Sequence, residues 1–354
     1  MRSSSIYVLT HKKYEFFHDP IYIPMQVGSA FHEDLGYLKD DGFNGNISAK
    51  NPYYSELTGI YAVSKTDKAS EIIGTAHYRR YLLDDNENLW NEESIKSALS
   101  SYDMISTKRV KLNYSYYEAF GADHNRRDLD LLSDVIKEEH ESLYLLWKEL
   151  LNGNRSYFGN MLIARRSLFM EYCDFLFPIL FSLEDRVDMT GYNTYQKRLF
   201  GFVSEILLLL FARSKDLKVK ECMVGMFGEK KETRETKDAL SLFFEKGDVN
   251  GAKAFFLESL KKRPDLLMEA SDIYGDLKAA MQAISTAEFE GEKNIIAENR
   301  DLKKTVAIIK GLNSFIAQKK ANAPGFDEDE FKRYITENRI SDTAIMISEK
   351  VICG

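Results

Sequence analysis

Short apolar runs that stop at polar clusters set the plan of the first two-thirds of the chain. Ile6-Tyr7-Val8-Leu9-Thr10 is rich in β-branched and aromatic residues and ends at His11-Lys12-Lys13, the pattern of a buried strand opening into a loop. Ile72 and Ile73 begin a second run. Gly74-Thr75-Ala76 leave room there for another backbone or a ligand, and His77-Tyr78-Arg79-Arg80-Tyr81 closes it. Residues 101–106, 157–164 and 219–224 read as three further strands. Between them, 51–63 reads as one helix with Asn51 as cap and Pro52 at its first position. Residues 128–149, 167–183 (with Pro178 as a kink) and 192–211 carry the helical period. Residues 14–50 read as a loop punctuated by Pro20, Pro24, Gly28, Gly36, Gly42 and Gly45, and an irregular stretch of that length is usually functional. The 108–120 segment, basic and then aromatic, suits a lid or acceptor-side loop.

Strand, helix, strand alternation predicts an α/β fold, a Rossmann-like sheet with ligand-facing loops at its strand ends. After about Phe227 the pattern changes. A charged stretch, 228–235, reads as a linker, and the remainder is helical: 238–245, 250–262 and 265–270 resemble one tetratricopeptide-type hairpin, 289–320 one long amphipathic helix, and 327–350 one or two more. The chain is thus expected to hold a nucleotide-binding domain over 1–228 and an all-helical C-terminal domain over 229–354. For the latter, interaction, dimerisation or a membrane-proximal role is the default expectation.

Composition narrows the function. In 354 residues, 44% hydrophobic and 12% aromatic content excludes wholesale disorder, and a formal charge of −7 argues against a general nucleic-acid binder. Cys173, Cys222 and Cys353 lack the spacing of a zinc site or a disulfide framework and suit a reducing compartment. No long apolar signal-peptide core follows Met1, and the longest apolar run, 206–212, is too short to cross a bilayer. A cytoplasmic protein is the expectation.

The densest chemistry is at the end of the second run. A guanidinium fork matches phosphate oxygens, so Arg79 and Arg80 at a strand end point to an anion site. If the strand continues through them, alternation puts Arg79 on the face of His77 and leaves Arg80 to a salt bridge.

Five blocks stand in order along the chain: Thr10-His11-Lys12, Ser55-Glu56-Leu57-Thr58 with Tyr61, Gly74 to Tyr81, Phe158-Gly159-Asn160-Met161-Leu162-Ile163, and Arg198-Leu199-Phe200-Gly201-Phe202-Val203-Ser204-Glu205. The arrangement resembles a bacterial family of capsule, exopolysaccharide and O-antigen loci, long catalogued as a domain of unknown function. It is usually labelled a polysaccharide-biosynthesis glycosyltransferase, with galactofuranosyltransferase-like members. The resemblance covers about residues 5–225 and implies a GT-A-like fold that joins a sugar from a nucleotide diphosphate to an acceptor hydroxyl.

It also implies roles. Many GT-A enzymes hold a divalent metal on an Asp-x-Asp motif where this chain has His77-Tyr78-Arg79. The expectation is that His77, Arg79 and Arg80 neutralise the leaving diphosphate with no metal required. In the alternative, Asp103 or the Asp84-Asp85 pair binds Mn²⁺ or Mg²⁺. His11 falls where the nucleotide base or ribose is met. Glu56, read as mid-helix, binds the nucleotide or braces Arg79 or Arg80. Asn160, read at the end of a strand, contacts the donor sugar, and His124 faces the acceptor. An inverting transfer needs a base, for which the candidates are Glu205, then Asp188, and Asp103; the bland reading of Glu205 is a pair with Arg198 or Arg213. His18, His32 and His140 are read as ordinary. UDP is the expected nucleotide, with galactose or galactofuranose as sugar. A glycan or lipid-linked acceptor brings possible peripheral membrane contact, and the C-terminal helices a possible homo-oligomer. The other classes are a non-catalytic binder of nucleotide sugars or glycans, and a helical scaffold.

Overall fold

The first strand, β1 (Ser4–Thr10), is buried along its whole length, and its side chains alternate between two cores. Tyr7 and Leu9 join the larger core on one face of the sheet; Ile6 and Val8 join a smaller one on the other. The computed structural model describes residues 3–14, 19–268, 271–323 and 325–353; His18, Ala270 and the Cys353 side chain lie outside the described residues.

Ten more strands follow: β2 (Tyr22–Gln26), β3 (Leu38–Lys39), β4 (Ile72–His77), β5 (Arg80–Leu82), β6 (Met104–Thr107), β7 (Val110–Lys111), β8 (Arg155–Ser156), β9 (Leu162–Arg165), β10 (Val219–Cys222) and β11 (Val224–Met226). A nine-stranded sheet runs in the order β10-β6-β9-β4-β1-β2-β3, with β5 and β11 paired to each other beyond β4. The pairs β1/β2, β1/β4, β2/β3 and β6/β10 are parallel, whereas β9 runs antiparallel to both β4 and β6. The start of β9 therefore lies at the carboxyl edge of its neighbours, the side on which open α/β sheets bind ligands.

The larger core is made by the helices Leu57–Thr66, Arg126–Glu139, Tyr144–Asn152, Arg166–Glu184 and Leu199–Ser214. The last is buried almost all round and has no side-chain cap at its N-terminus. At roughly 1.5–3 kcal/mol for each fully buried Leu, burial rather than capping holds it. The smaller core rests on the helix Glu92–Ala98, with Trp90, Ile95 and Leu99 against Ile6, Val8 and Ile72.

Several sequence expectations change here. The 51–63 helix is two helices, Asn51–Tyr54 and Leu57–Thr66, broken at Ser55 (φ 51°, ψ −130°), and Glu56 is the N-cap of the second rather than a mid-helix residue. Asn51 is the first helical residue rather than the cap; its amide reaches over the break to the Ser55 carbonyl, 2.7 Å. The 14–50 segment contains β2. Pro24 is tolerated there because β3 covers only Met25 and Gln26, so that side of β2 is open at the proline. Buried Asp40 organises the rest of that segment, accepting from the Gly28 and Ser29 amides and the Ser48 hydroxyl. The third strand is shorter than 157–164, and residues 157–161 form an irregular approach to it. The 128–149 helix is interrupted at His140, which caps Arg126–Glu139.

By contact the chain divides into two compact units, Met1–Phe227 and Gly228–Gly354. The second has its own core, including Leu240, Phe244, Phe256, Leu277, Ile284, Ile309 and Leu312. The stretch read as one helix over 289–320 ends at Gly291 and restarts as Ile295–Asn299 and Leu302–Lys320, each capped by an acidic or amide side chain, Asn294 and Asp301. Pro264–Leu267 is a 3₁₀ turn. No helix among the described residues is long and apolar enough to cross a membrane.

Gly74 owes its small size to packing rather than to a ligand. A Cβ there would sit 2.8 Å from Ile163 Cγ1 and 3.2 Å from Ile6 Cγ1. Gly74→Val is expected to lower stability by about 1–3 kcal/mol through overpacking. Urea unfolding checks this, and an unchanged midpoint would contradict it.

Candidate active site

The polar cluster after β4 is a hairpin, not a continuing strand. Tyr78-Arg79 forms the turn, and Arg80 opens β5 directly opposite His77. Residues opposite one another in an antiparallel pair share a face. It is therefore Arg80, not Arg79, that joins His77, donating from Nη2 to Nδ1 at 2.7 Å. This corrects the alternation argument, which required an unbroken strand. A guanidinium only donates, so Nδ1 accepts and the imidazole proton sits on Nε2. That nitrogen is buried and lacks a partner at full hydrogen-bond geometry, although the Gly159 carbonyl acts on the ring. Burial and the neighbouring Arg80 push the His77 pKa down to about 3, so the ring is neutral. Arg79 lies over the Tyr78 ring, 4.9 Å from its centroid, with a buried, unpaired Nε.

The second part of the site comes from the approach to β9. Gly159 (φ 99°) and Asn160 (φ 48°) both occupy left-handed backbone, which glycine takes freely and asparagine takes better than most residues. The conformation turns the Gly159 amide onto Glu205 Oε1 at 2.6 Å and buries the Asn160 side chain. Asn160 Nδ2 donates to Glu56 Oε1 at 2.8 Å and to the Gly201 carbonyl at 3.0 Å, while Oδ1 accepts from Ser204 Oγ at 2.8 Å. One amide thus ties β9 to the two helices carrying Glu56 and Glu205. Asn160 stands before β9, not at the end of a strand, and because β9 is antiparallel this is the ligand-facing edge.

The two carboxyls have opposite environments. Burial raises Glu205 to about 8; the Gly159 amide opposes this, the charge of Glu56 adds to it, and Arg80 and Arg198 oppose it. Burial would also raise Glu56, but the charge of Arg198 and the Asn160 amide oppose it, and the carboxyl is held below the usual range. A pair of carboxyls pushed apart in this way is the signature of divided acid and base roles. Among the described residues neither forms an ion pair: Arg213 bonds Glu149 at 3.1 Å, and Arg198 Nε donates to Ser55 Oγ at 3.1 Å. Glu56 accordingly does not brace Arg79 or Arg80 by direct contact.

The remaining candidates are dispersed. His11 is exposed at the end of β1, edge-on to Tyr78 at 5.6 Å and near His32 at 6.4 Å, with Lys12 over the same tyrosine at 5.3 Å. His124 follows the helix Tyr116–Asp123, stacked on Phe120 at 4.6 Å and Tyr195 at 5.2 Å, and burial with the charge of Arg198 lowers its pKa to about 4. Asp188 is exposed in a loop, bonded to the Thr190 amide at 2.9 Å, and Thr190 lowers its pKa. Asp103 accepts from the Lys218 amide before β6, Asp84 closes a turn onto the Asn86 and Asn88 amides, and Asp85 pairs with Lys220. Among the described residues no group of three His, Cys, Asp or Glu side chains is placed to hold a metal. Ser55, Gly201 and Ser204 all sit in blocks singled out in the sequence, yet their contacts depend on the helix break and the β9 approach.

A family model described as a domain of unknown function (DUF4422) matches residues 5–216. The chain belongs to the DUF4422 family. A comparison with curated protein sequences found no match. Among solved structures the chain is similar to WbbM, a bifunctional glycosyltransferase in its apo form, at 28% identity and a TM-score of 0.57. The similarity covers 64% of this chain and 46% of that one, so the chain spans less than half of that relative's length. The mixed, mostly parallel sheet of this DUF4422 member is GT-A-like.

Two outcomes follow from the buried carboxyls. Asn160→Asp removes both donors facing Glu56 and the Gly201 carbonyl and adds a like charge; a stability loss of about 2–4 kcal/mol is expected in urea unfolding at neutral pH. A loss within experimental error would mean the amide is not the tie. Glu205 keeps its proton to about 8 when folded and loses it near 4.5 when unfolded, so folding stability falls as pH rises across that window. Glu205→Gln lacks this slope, and its melting temperature relative to wild type should climb between about pH 5 and pH 8. A difference independent of pH would show an ordinary, ionised glutamate.

Proposed function

We propose that this DUF4422 protein transfers a glycosyl group from a nucleoside diphosphate sugar to an acceptor hydroxyl. The observation that carries the reading is the meeting, at the carboxyl edge of the sheet, of a neutral His77 with a buried N–H short of full hydrogen-bond geometry, the Arg80 guanidinium, and two carboxyls of opposed proton affinity. The similarity to a glycosyltransferase supports the reaction class.

In an inverting transfer the acceptor oxygen attacks the anomeric carbon as the bond from that carbon to the phosphate oxygen breaks. The electron pair of the broken bond stays on the phosphate, and the hydroxyl proton passes to ionised Glu205. Asp188, exposed and held acidic, is the weaker base. His77 Nε2–H and Arg80, with Arg79 beside them, meet the charge developing on the leaving diphosphate, in place of a divalent Mn²⁺ or Mg²⁺. The face of Tyr78, flanked by His11 and Lys12, suits the nucleotide base, for which uracil in UDP is the proposal. The aromatic stack around His124 suits an acceptor sugar. Asn160 has its amide committed to protein partners, which supports positioning of the two carboxyls over contact with the donor sugar. Galactose or galactofuranose, and a surface polysaccharide on a lipid-linked carrier, complete the proposal, with the helical unit as the part that meets a membrane surface or a second copy.

The test is release of nucleoside diphosphate from a panel of nucleotide sugars, with and without EDTA. Turnover of one donor should survive EDTA, rise with pH through a midpoint near 8, and fall about 100-fold in Arg80→Ala. Abolition by EDTA would overturn the metal-free mechanism. Absence of turnover and of donor binding across the panel would overturn the function.

A further inference from the structure

Arg198 stands at the same site with no role in the reading above. It precedes the helix Leu199–Ser214, and its Nε donates to Ser55 Oγ at 3.1 Å while the guanidinium lies over the Phe202 ring, 5.3 Å from the centroid. Among the described residues no carboxylate lies within ion-pair distance of either Arg198 or Arg80. Yet the charge of Arg198 acts on Glu56, His77, Arg80, Glu205 and His124. Two guanidinium groups whose charges act on each other, with Glu56 and Glu205 nearby but beyond ion-pair distance, cost free energy through mutual repulsion and lost hydration. An anionic ligand would offset that cost.

The local backbone is also built around this contact. Ser55 has φ 51° and ψ −130°, a strained conformation for any residue but glycine. Gly201 lies inside a helix, where glycine costs stability, and a Cβ there would be 3.3 Å from Ser55 Cβ and Oγ. A glycine where the helix would prefer a side chain, and a side chain where the backbone would prefer glycine, both serve to seat the Ser55 hydroxyl under Arg198. Strain maintained by its surroundings points to function.

We propose that Arg198, oriented by the Ser55 hydroxyl, forms with Arg80 a two-guanidinium clamp for the outer phosphate of the nucleoside diphosphate. Arg80 comes from the β4–β5 hairpin and Arg198 from the residue before the helix Leu199–Ser214, so the clamp draws on two elements. Its terminal nitrogens offer the planar fork that matches phosphate oxygens. Arg198 would then be a binding residue and Ser55 a positioning residue. This inference rests on the donor reading above.

The experiment is calorimetric titration of the full chain with UDP, GDP and dTDP and with the matching monophosphates, in EDTA. Wild type should prefer one diphosphate over its monophosphate. Arg198→Ala should lose about tenfold or more in diphosphate affinity and leave monophosphate affinity unchanged. Arg198→Lys, which keeps the charge but loses the fork, should recover only part of it. Ser55→Gly relieves the backbone, so its melting temperature should hold or rise while the preference for diphosphate falls about threefold. A folded Arg198→Ala that weakens both ligands equally, or neither, would overturn the clamp while leaving the donor reading intact. Ser55→Gly with an unchanged preference would remove Ser55 from it. A wild type that binds none of the six nucleotides would bring down the donor reading and the clamp with it.

Discussion

The site depends on one buried amide. Asn160 gives two protons, to Glu56 and to the Gly201 carbonyl, and takes one from Ser204, so a single side chain fixes the loop before β9 against two helices that are remote in sequence. Its geometry is available only because Gly159 and Asn160 both adopt positive φ, and only because β9 runs against its neighbours does that loop reach the ligand edge. Each hydrogen bond is worth about 1 kcal/mol net, but leaving any of these buried groups unpaired costs more, and this asymmetry makes the arrangement all-or-none.

Electrostatics at the site follows from that scaffold. Glu56 receives one Asn160 amide proton and stays ionised; Glu205 receives one backbone N–H, and its burial outweighs that bond and the nearby arginines, which raises its pKa to about 8. His77, fixed as the Nε2–H tautomer by Arg80, presents a neutral donor rather than a cation. A donor of that kind, buried and already oriented, suits the proposed role of meeting developing negative charge, since it need not reorganise. The arginines supply the formal charge, and among the described residues no carboxylate pairs with Arg80 or Arg198 at ion-pair distance, though Glu56 and Glu205 act on Arg80 from farther off.

Much of this was legible in the chain. The buried run Ile6–Thr10, the sharp stop at His77, the all-apolar helix around Glu205 and the change of character after Phe227 are written in residue type and period. Three features were not. A two-residue hairpin with Tyr78-Arg79 at its turn has none of the Asn-Gly chemistry that announces one, so Arg79 was given the place Arg80 holds. The break at Ser55 has no glycine at the break itself to announce it, and it brings Ser55 against Gly201, a residue remote in sequence. The direction of β9 is a matter of topology, and no local pattern distinguishes a parallel from an antiparallel short strand. Site residues were therefore named more readily than their partners. Their contacts come from three segments, around 55, 160 and 201, that only the folded sheet brings together.

The most direct measurement is a crystal structure of the chain with a nucleotide sugar analogue that resists cleavage, grown in EDTA. The account predicts phosphate oxygens about 3 Å from His77 Nε2 and from the Arg80 guanidinium, with the sugar between them and Glu205. A diphosphate bound elsewhere, or one that appears only when a divalent cation bridges it to carboxylates, would contradict it.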